Sequence, residues 1–405
     1  MPGYVVNRGQ PNAAGHDKKH LAIGLMSGTS LDAVDAVVLD CRNTAQVLAH
    51  TSVSLDPALR DSLTILATPT RDSVRRDLVQ HDPIDLLGIA RRDLSIHYAR
   101  AVRGLPSNLV DKCCVIGAHG QTIRHRPEAG FSLQILDGAF LASLTSLPVV
   151  CDLRSADIAA GGQGAPLVPV FHGTAFGRAS NASDDKPLAV VNIGGIANVS
   201  IIGSDARVLA GFDTGPGNRL LDDWCQLHIH NAYDEDGRWA GSGEVNEALL
   251  LRLLAHPYLL QSPPKSTGRE QFNLEYLQSI LSSLTSSSAL APHDVQATLA
   301  ELTARSIVDA ATVFGIRQML ICGGGAFNTD LMARLNHRLS LICPSVSCQS
   351  TAALGMPPQQ VEAAAFAWLG YQRLAGASIA LGQSTGARHD VIAGALHLPP
   401  QAPGK

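Results

Sequence analysis

The sequence predicts an α/β protein of two packed lobes, and three observations carry that reading. The chain has 405 residues, more than one compact core serves and a length that suits two. Short apolar runs of strand length alternate with longer stretches of helical period. The pattern that opens the chain, two apolar strands joined by a turn of small residues, recurs in outline near its middle.

The elements follow in order. The apolar run 21–25 ends in a small-residue turn and a second run, 33–39, follows at once, which fits two strands and a tight connection. Helical spacing covers 57–67 and 84–102. Residues 114–118 read as a buried strand running into His119-Gly120-Gln121-Thr122, and 133–136 and 148–151 as short strands flanking a helix over 138–146. The polar stretch 178–186 marks a hinge or surface loop. Beyond it the strands 188–193 and 197–202, joined by Gly194-Gly195, repeat the opening hairpin. Helices are predicted over 217–227, 245–255, 274–284 and 292–314, then a strand over 318–322 and a last helix over about 359–374. The division is therefore a loose tail over 1–20, a first lobe over 21–185, a second over 186–380 with the last helix at the lobe junction, and a C-terminal segment over 381–405.

Composition narrows the function. Aromatics are only 4% of the chain, so the core must be built from Ala, Leu, Val and Ile. With 31 basic and 35 acidic residues the net charge is -4, and no basic stripe of the kind nucleic acid requires is present. The interrupted basic run 71–76 reads as solvated surface. Eight cysteines stand at irregular spacings with no Cys-x-x-Cys pair, which argues against a zinc or redox motif and for free thiols in a reducing cytosol. No apolar run reaches the roughly 18 residues of a membrane helix, and no hydrophobic stretch of the secretory kind precedes the first strand. The expectation is a cytoplasmic protein without nucleic-acid or membrane partners.

The candidate chemistry lies in the turns. Phosphate is held by backbone N–H groups and hydroxyls brought close together. Ser27-Gly28-Thr29-Ser30 supplies both between two strands. Asp32 and Asp35 beyond it could hold magnesium directly or through water, since that ion prefers oxygen ligands. Taken alone the turn is equally a plain hairpin with a capping Asp, and the Gly-Lys-Ser/Thr ending of a Walker loop is missing. Gly194-Gly195 forms a second candidate cradle, and Gly323-Gly324-Gly325 with Asn328 a third, where a ribose or flat ring could lie against the backbone. Between them lies Gly211-Phe212-Asp213-Thr214-Gly215-Pro216-Gly217-Asn218. Asp213, read as ending a strand before a turn that opens a helix, is either a general base or a helix N-cap. A sugar site needs several polar side chains converging on hydroxyls. His119, Gln121, Thr122 and Arg124 form one such stretch, and Asp152, Arg154 and Asp157 another, ahead of the flexible loop 159–166. Lys265 and Arg269 flank Ser266-Thr267-Gly268, where phosphate contact, loop closure and surface solvation all remain open.

Together these segments resemble the anhydro-N-acetylmuramic acid kinases, members of the actin, Hsp70 and sugar-kinase superfamily. The matching stretches are 23–39, 118–127, 134–172, 191–200, 211–224, 263–273, 322–328 and 361–369. Met-Ser-Gly-Thr-Ser-Leu-Asp, Ala-Ala-Gly-Gly-Gln-Gly-Ala-Pro-Leu-Val-Pro and Phe-Asp-Thr-Gly-Pro-Gly-Asn carry most of the specificity. Ala33 stands where the family commonly has Gly, and Leu153 where it commonly has Phe. The resemblance implies two lobes of ribonuclease-H-like, actin-like ATPase fold with the active site in the cleft between them. It implies a reaction that adds water across the 1,6-anhydro bond of N-acetylmuramic acid and phosphorylates O6, with ATP and Mg2+ as cofactors and a homodimer as the assembly. By the same resemblance Asp213 is the general base. The ATP-binding set is Ser27, Gly28, Thr29, Ser30, Leu31, Asp32, Ala33, Val34, Asp35, Gly194, Gly195, Gly323, Gly324, Gly325 and Asn328, with magnesium at Asp32 through water. His119, Gln121, Arg154, Asp157 and Glu362 face the sugar. Two alternatives stand beside this one: a kinase of the same fold acting on an ordinary hexose or acylated amino sugar, which would also need an Asp base, and a non-catalytic nucleotide-binding protein, which would not need the sugar-side cluster.

Overall fold

Two sheets of the same internal plan organise the chain. The structure, a computed structural model, describes residues 20–28, 31–42, 46–68, 82–177, 185–263, 265–268, 271–284 and 290–400. The expected tail up to residue 19, Thr29 and Ser30 of the opening turn, the basic run 71–76, most of the polar stretch 178–186, and Arg269 lie outside those residues.

The first sheet contains β1 (Leu21–Ser27), β2 (Ala33–Asp40), β3 (Gln46–Ser54), β4 (Cys113–Ala118) and β7 (Val149–Cys151), with β5 (Gln121–Arg126) and β6 (Phe131–Ile135) forming a separate ribbon. The second contains β8 (Leu188–Ile193), β9 (Ile196–Ile202), β10 (Val208–Pro216), β11 (Gln318–Cys322) and β12 (Ser347–Ser350). The order is β3-β2-β1-β4-β7 in one and β10-β9-β8-β11-β12 in the other. In both, the hairpin strands are antiparallel and the remaining pairs parallel. This is the ribonuclease-H-like arrangement that the resemblance implies, present twice, so the two-lobed α/β fold is as expected. A thirteenth strand, β13 (Ala395–His397), returns from the C-terminal segment to pair with β7 at the edge of the first sheet.

Every strand and helix predicted above is present among the described residues, with ends shifted by one or two positions. Three additions matter. β3 is an edge strand whose residues alternate between exposed and half-buried, so it lacks the apolar run that marks β1 and β2. The helix Pro169–Phe176 and the helix Thr329–Ile342 also escaped notice. β10 runs through Asp213 to Pro216 rather than ending at Asp213, because pairing with β9 holds its Gly- and Pro-rich end in the sheet, with a register shift between Asp213 and Gly215.

The last helix, Val361–Leu374, lies across β1 and β4. Gly24 and Gly117 let it approach, since a Cβ on either would strike the backbone carbonyl of Ala363 or Phe366. Its apolar residues join Phe171, Phe176 and one face of the second sheet in a shared core. The helix Pro83–Arg103 covers the other face of the first sheet, and Pro292–Thr312 with Thr329–Ile342 covers the other face of the second. The two lobes are thus packed through the layer that carries Glu362. The carboxyl ends of β1, β4, β8 and β11 open toward one cleft, where a doubly wound sheet places its ligands.

Candidate active site

The second and third glycine turns come together, Gly323 and Gly325 against Ile193, while the opening turn belongs to the other lobe. Ser27 ends β1 and its buried hydroxyl donates to Gln121 Oε1 at 2.8 Å, tying the opening turn to β5. Leu31, at φ 60°, closes the turn through its N–H to the Gly28 carbonyl at 3.3 Å. The side chains of Leu31 and Val34 are in the core, and Ala33, Val34 and Asp35 lie in the β1–β2–β3 ladder. The turn therefore offers the cleft Gly28 and the exposed Asp32. Asp35 sits 3.4 Å from His50 Nε2, and its charge also reaches Glu362. At the second hairpin, the Gly194 carbonyl accepts from Asn218 N at 2.8 Å and the Gly195 carbonyl from Gly217 N and Arg219 N at 3.0 and 3.1 Å. Gly323, at φ 78°, packs so close to Asn192 and Ile193 that no side chain fits, and Gly325 meets Ile193 in the same way. Gly324 alone of the three has room for a Cβ, which would meet only Asn218 at ordinary contact distance. Asn328 Oδ1 is committed to capping the helix Thr329–Ile342, accepting from Leu331 N at 2.9 Å.

The polar groups of the sugar side converge on Arg154. Its guanidinium donates to His119 Nε2 at 2.8 Å and to the Gly164 carbonyl at 2.7 Å, and its charge acts on Glu362, Asp157 and Asp213. Burial brings its pKa down to about 10. His119 lies against Phe366, ring centres 4.7 Å apart, and its Nδ1 donates to the Gly120 carbonyl at 2.8 Å. Burial first, and the Arg154 charge second, push its pKa down to about 3, so it is a neutral imidazole that accepts through Nε2. Asp157 is fully buried, and its oxygens accept from Gly164 N and Thr385 Oγ1, both at 2.7 Å. It shapes the loop 159–166, in which a Cβ on Gly162 would collide with that carboxylate. Glu362 stands in the first turn of the last helix and bonds to Asn192; burial raises its pKa against the pull of Arg154.

Asp213 is no helix cap. The next helix starts at Arg219 with Asn218 in the N-cap position, while the Asp213 carboxylate accepts from Thr267 N at 3.0 Å. Desolvation raises its pKa to about 7, opposed by the Thr267 hydrogen bond, Arg154 and Lys265. The Tyr258 hydroxyl donates to the Asp213 carbonyl at 2.8 Å. One residue before Thr267, Ser266 Oγ donates to Gln163 Oε1 at 2.9 Å and so bridges the second lobe to the loop of the first. A cavity of about 640 Å³ opens beside these residues, lined from one lobe by Gln121, Thr122 and Arg124 and from the other by Arg219, Thr267 and Gly268. That volume suits a small polar ligand.

Asp222 is a residue that motif reading missed, because in the sequence it looks like the polar face of a helix. Burial raises its pKa to about 7, Asp223 adds to the rise, and so does Asp32 from the opposite hairpin. Two carboxylates that feel each other's charge across a cleft suit a hard cation held through water. Among the described residues no group of three or more His, Cys, Asp or Glu is arranged to hold a metal ion, so an ion here would rest on these two carboxylates, water and phosphate, the manner of Mg2+. Thr385 was missed for a different reason: it lies 228 residues from the Asp157 it bonds.

A family profile described as anhydro-N-acetylmuramic acid kinase matches residues 20–399. A curated relative of that name from Burkholderia thailandensis is 42% identical over 95% of this chain and 99% of its own. The relatives of the same name from Albidiferax ferrireducens and Thiobacillus denitrificans are 43% and 44% identical over 93% of this chain, covering 99% and 96% of theirs.

Proposed function

The chain belongs to the anhydro-N-acetylmuramic acid kinase family, and from that premise we propose that Asp213 is the base of its reaction. The enzyme phosphorylates 1,6-anhydro-N-acetylmuramic acid at the expense of ATP and opens the anhydro ring with water, giving N-acetylmuramic acid 6-phosphate and ADP in the recycling of cell-wall murein. The observation that carries the assignment is the carboxylate of Asp213: desolvated, held by one backbone N–H, facing Arg154 and raised to about 7. A base is most effective with a pKa near the working pH.

The chemistry balances as follows. Water attacks C1 of the anhydro sugar and gives a proton to Asp213. The C1–O6 bond breaks, and O6 attacks the γ-phosphorus of ATP as ADP leaves. Arg154, already bonded to His119 and Gly164, holds the sugar side in register and offsets the charge of Glu362 and Asp213. Neutral His119 contributes shape and an acceptor rather than charge. Gln121, tied to Ser27, joins the sugar side to the phosphate turn. Gly28 and Asp32 of the first hairpin, Gly194 and Gly195 of the second, and Gly324 form the walls for ATP. Asp32 and Asp222 would hold Mg2+ through water, and the ion would offset phosphate charge during transfer. ATP as donor puts the reaction in the cytoplasm. A homodimer is the assembly that the family resemblance implies, and sedimentation velocity would check it.

Turnover with 1,6-anhydro-N-acetylmuramic acid, compared with N-acetylglucosamine and glucose under ATP and magnesium, tests the substrate. The expected result is a 6-phosphate from the anhydro sugar alone; turnover of the plain sugars without it would overturn the assignment.

A further inference from the structure

We propose that Lys265 is a positioning residue for this reaction, one that staples the segment 258–268 beneath Asp213 and lends its charge to that carboxylate. The inference rests on the reading of Asp213 as base and deepens it.

The geometry is specific. The segment is attached to Asp213 at three points: the Tyr258 hydroxyl donates to the Asp213 carbonyl at 2.8 Å, Asp213 N donates to the Lys265 carbonyl at 3.2 Å, and Thr267 N donates to Asp213 Oδ2 at 3.0 Å. Lys265 Nζ closes the segment on itself, donating to the carbonyls of Tyr258 and Leu259 at 3.2 and 3.3 Å. The same ammonium lies 4.8 Å from the centre of the Tyr258 ring. One side chain thus joins the residue that fixes the Asp213 backbone to the stretch that fixes its carboxylate.

Packing alone does not account for a lysine here. Lys265 is 8% exposed and forms no salt bridge among the described residues. It also lines a cavity of about 460 Å³, with Phe212, Leu259, Arg305, Ser306 and Asp309. Methionine would fill that place without the cost of burying an ammonium. What the charge does reach is the carboxylate of Asp213. The charged groups that face Asp213 are Arg154, across the cleft, and Lys265, on its own side, with the Tyr258 hydroxyl against its backbone. Arg154 is shared with Glu362 and Asp157. Lys265 is the undivided cation, and its burial limits screening of its field.

The test is the pH dependence of kcat/KM for the wild type, Lys265→Gln, Lys265→Met, Lys265→Arg and Asp213→Asn. Lys265→Gln keeps a donor for the two carbonyls and removes the charge. It is expected to move the acid limb upward by about one pH unit, with the rate recovering toward wild type at alkaline pH and ATP binding unchanged. Lys265→Arg returns the limb toward its original position. Lys265→Met carries the same test if the glutamine variant is insoluble, with its folding read by circular dichroism. A loss of equal size at every pH, or a limb that stays in place, would overturn the proposal. Near-normal activity in Asp213→Asn would instead overturn the assignment of the base. An inactive Asp213→Asn beside an unmoved limb in Lys265→Gln would overturn the role of Lys265 alone.

Discussion

At the scale of single residues, the environment of Asp213 sets its pKa by opposing effects. Desolvation pushes it upward; the Thr267 N–H and the cations Arg154 and Lys265 pull it back, leaving it at about 7. A base must be ionised to take a proton. The account therefore predicts that kcat/KM climbs with pH through about 7 and falls on the acid side as Asp213 protonates, measured from initial rates across pH. Asp213→Asn keeps the shape and removes the base, with an expected loss of about 10²–10⁴-fold in kcat while a fluorescent nucleotide titration shows ATP still binding. The Phe-Asp-Thr-Gly motif singles out Asp213 in the sequence, and His119, Arg154 and Glu362 stand in stretches that the sequence also marks. The choice between base and cap was not legible. It depends on where the Asp213 carboxylate points, and its partner Thr267 comes from a loop 54 residues away.

At the scale of elements, the last helix is held by contacts that tolerate almost nothing. Gly117 meets the Phe366 carbonyl and the backbone of Gly370, so even a methyl group would force the helix away from β4. Gly117→Ala is expected to destabilise the protein by about 1–3 kcal/mol, read from the midpoint of denaturant unfolding. Because the displaced helix carries Glu362, activity should fall further than the unfolded fraction accounts for. Strongly periodic or apolar elements were readable: this helix starts within two residues of its expected place, and β11 ends where expected. The sequence ends β10 at Asp213 because Gly215 and Pro216 look like turn residues in isolation. Only pairing with β9, with its shift at Asp213, keeps them in a strand.

At the scale of the whole molecule, a repeated sheet plan creates a cleft, and a few long-range bonds join its two walls. Ser266 Oγ to Gln163 Oε1 crosses between the lobes, and Gln163 N donates to the Thr385 carbonyl at 2.8 Å, beside the Asp157–Thr385 pair. Gln163 is half-buried at the rim, so Gln163→Ala should leave the unfolding midpoint nearly unchanged. It should raise KM for the sugar several-fold, the size expected for one hydrogen bond of about 0.5–1.5 kcal/mol, as steady-state kinetics would report. The internal repeat was visible in the sequence as two hairpins of like outline. The bonds that join the halves were not, since nothing local in Gln163, Thr385 or Asp222 announces its partner.

The central claim is that one cleft both opens the anhydro ring with water and phosphorylates the oxygen that is freed. The most direct measurement is a brief turnover of 1,6-anhydro-N-acetylmuramic acid with ATP and magnesium in water enriched in heavy oxygen, with the product reduced by borohydride at once and read by mass spectrometry. The account predicts one heavy oxygen at C1 and none in the phosphate of the 6-phosphate. An unlabelled C1, or label carried by the phosphate, would contradict it.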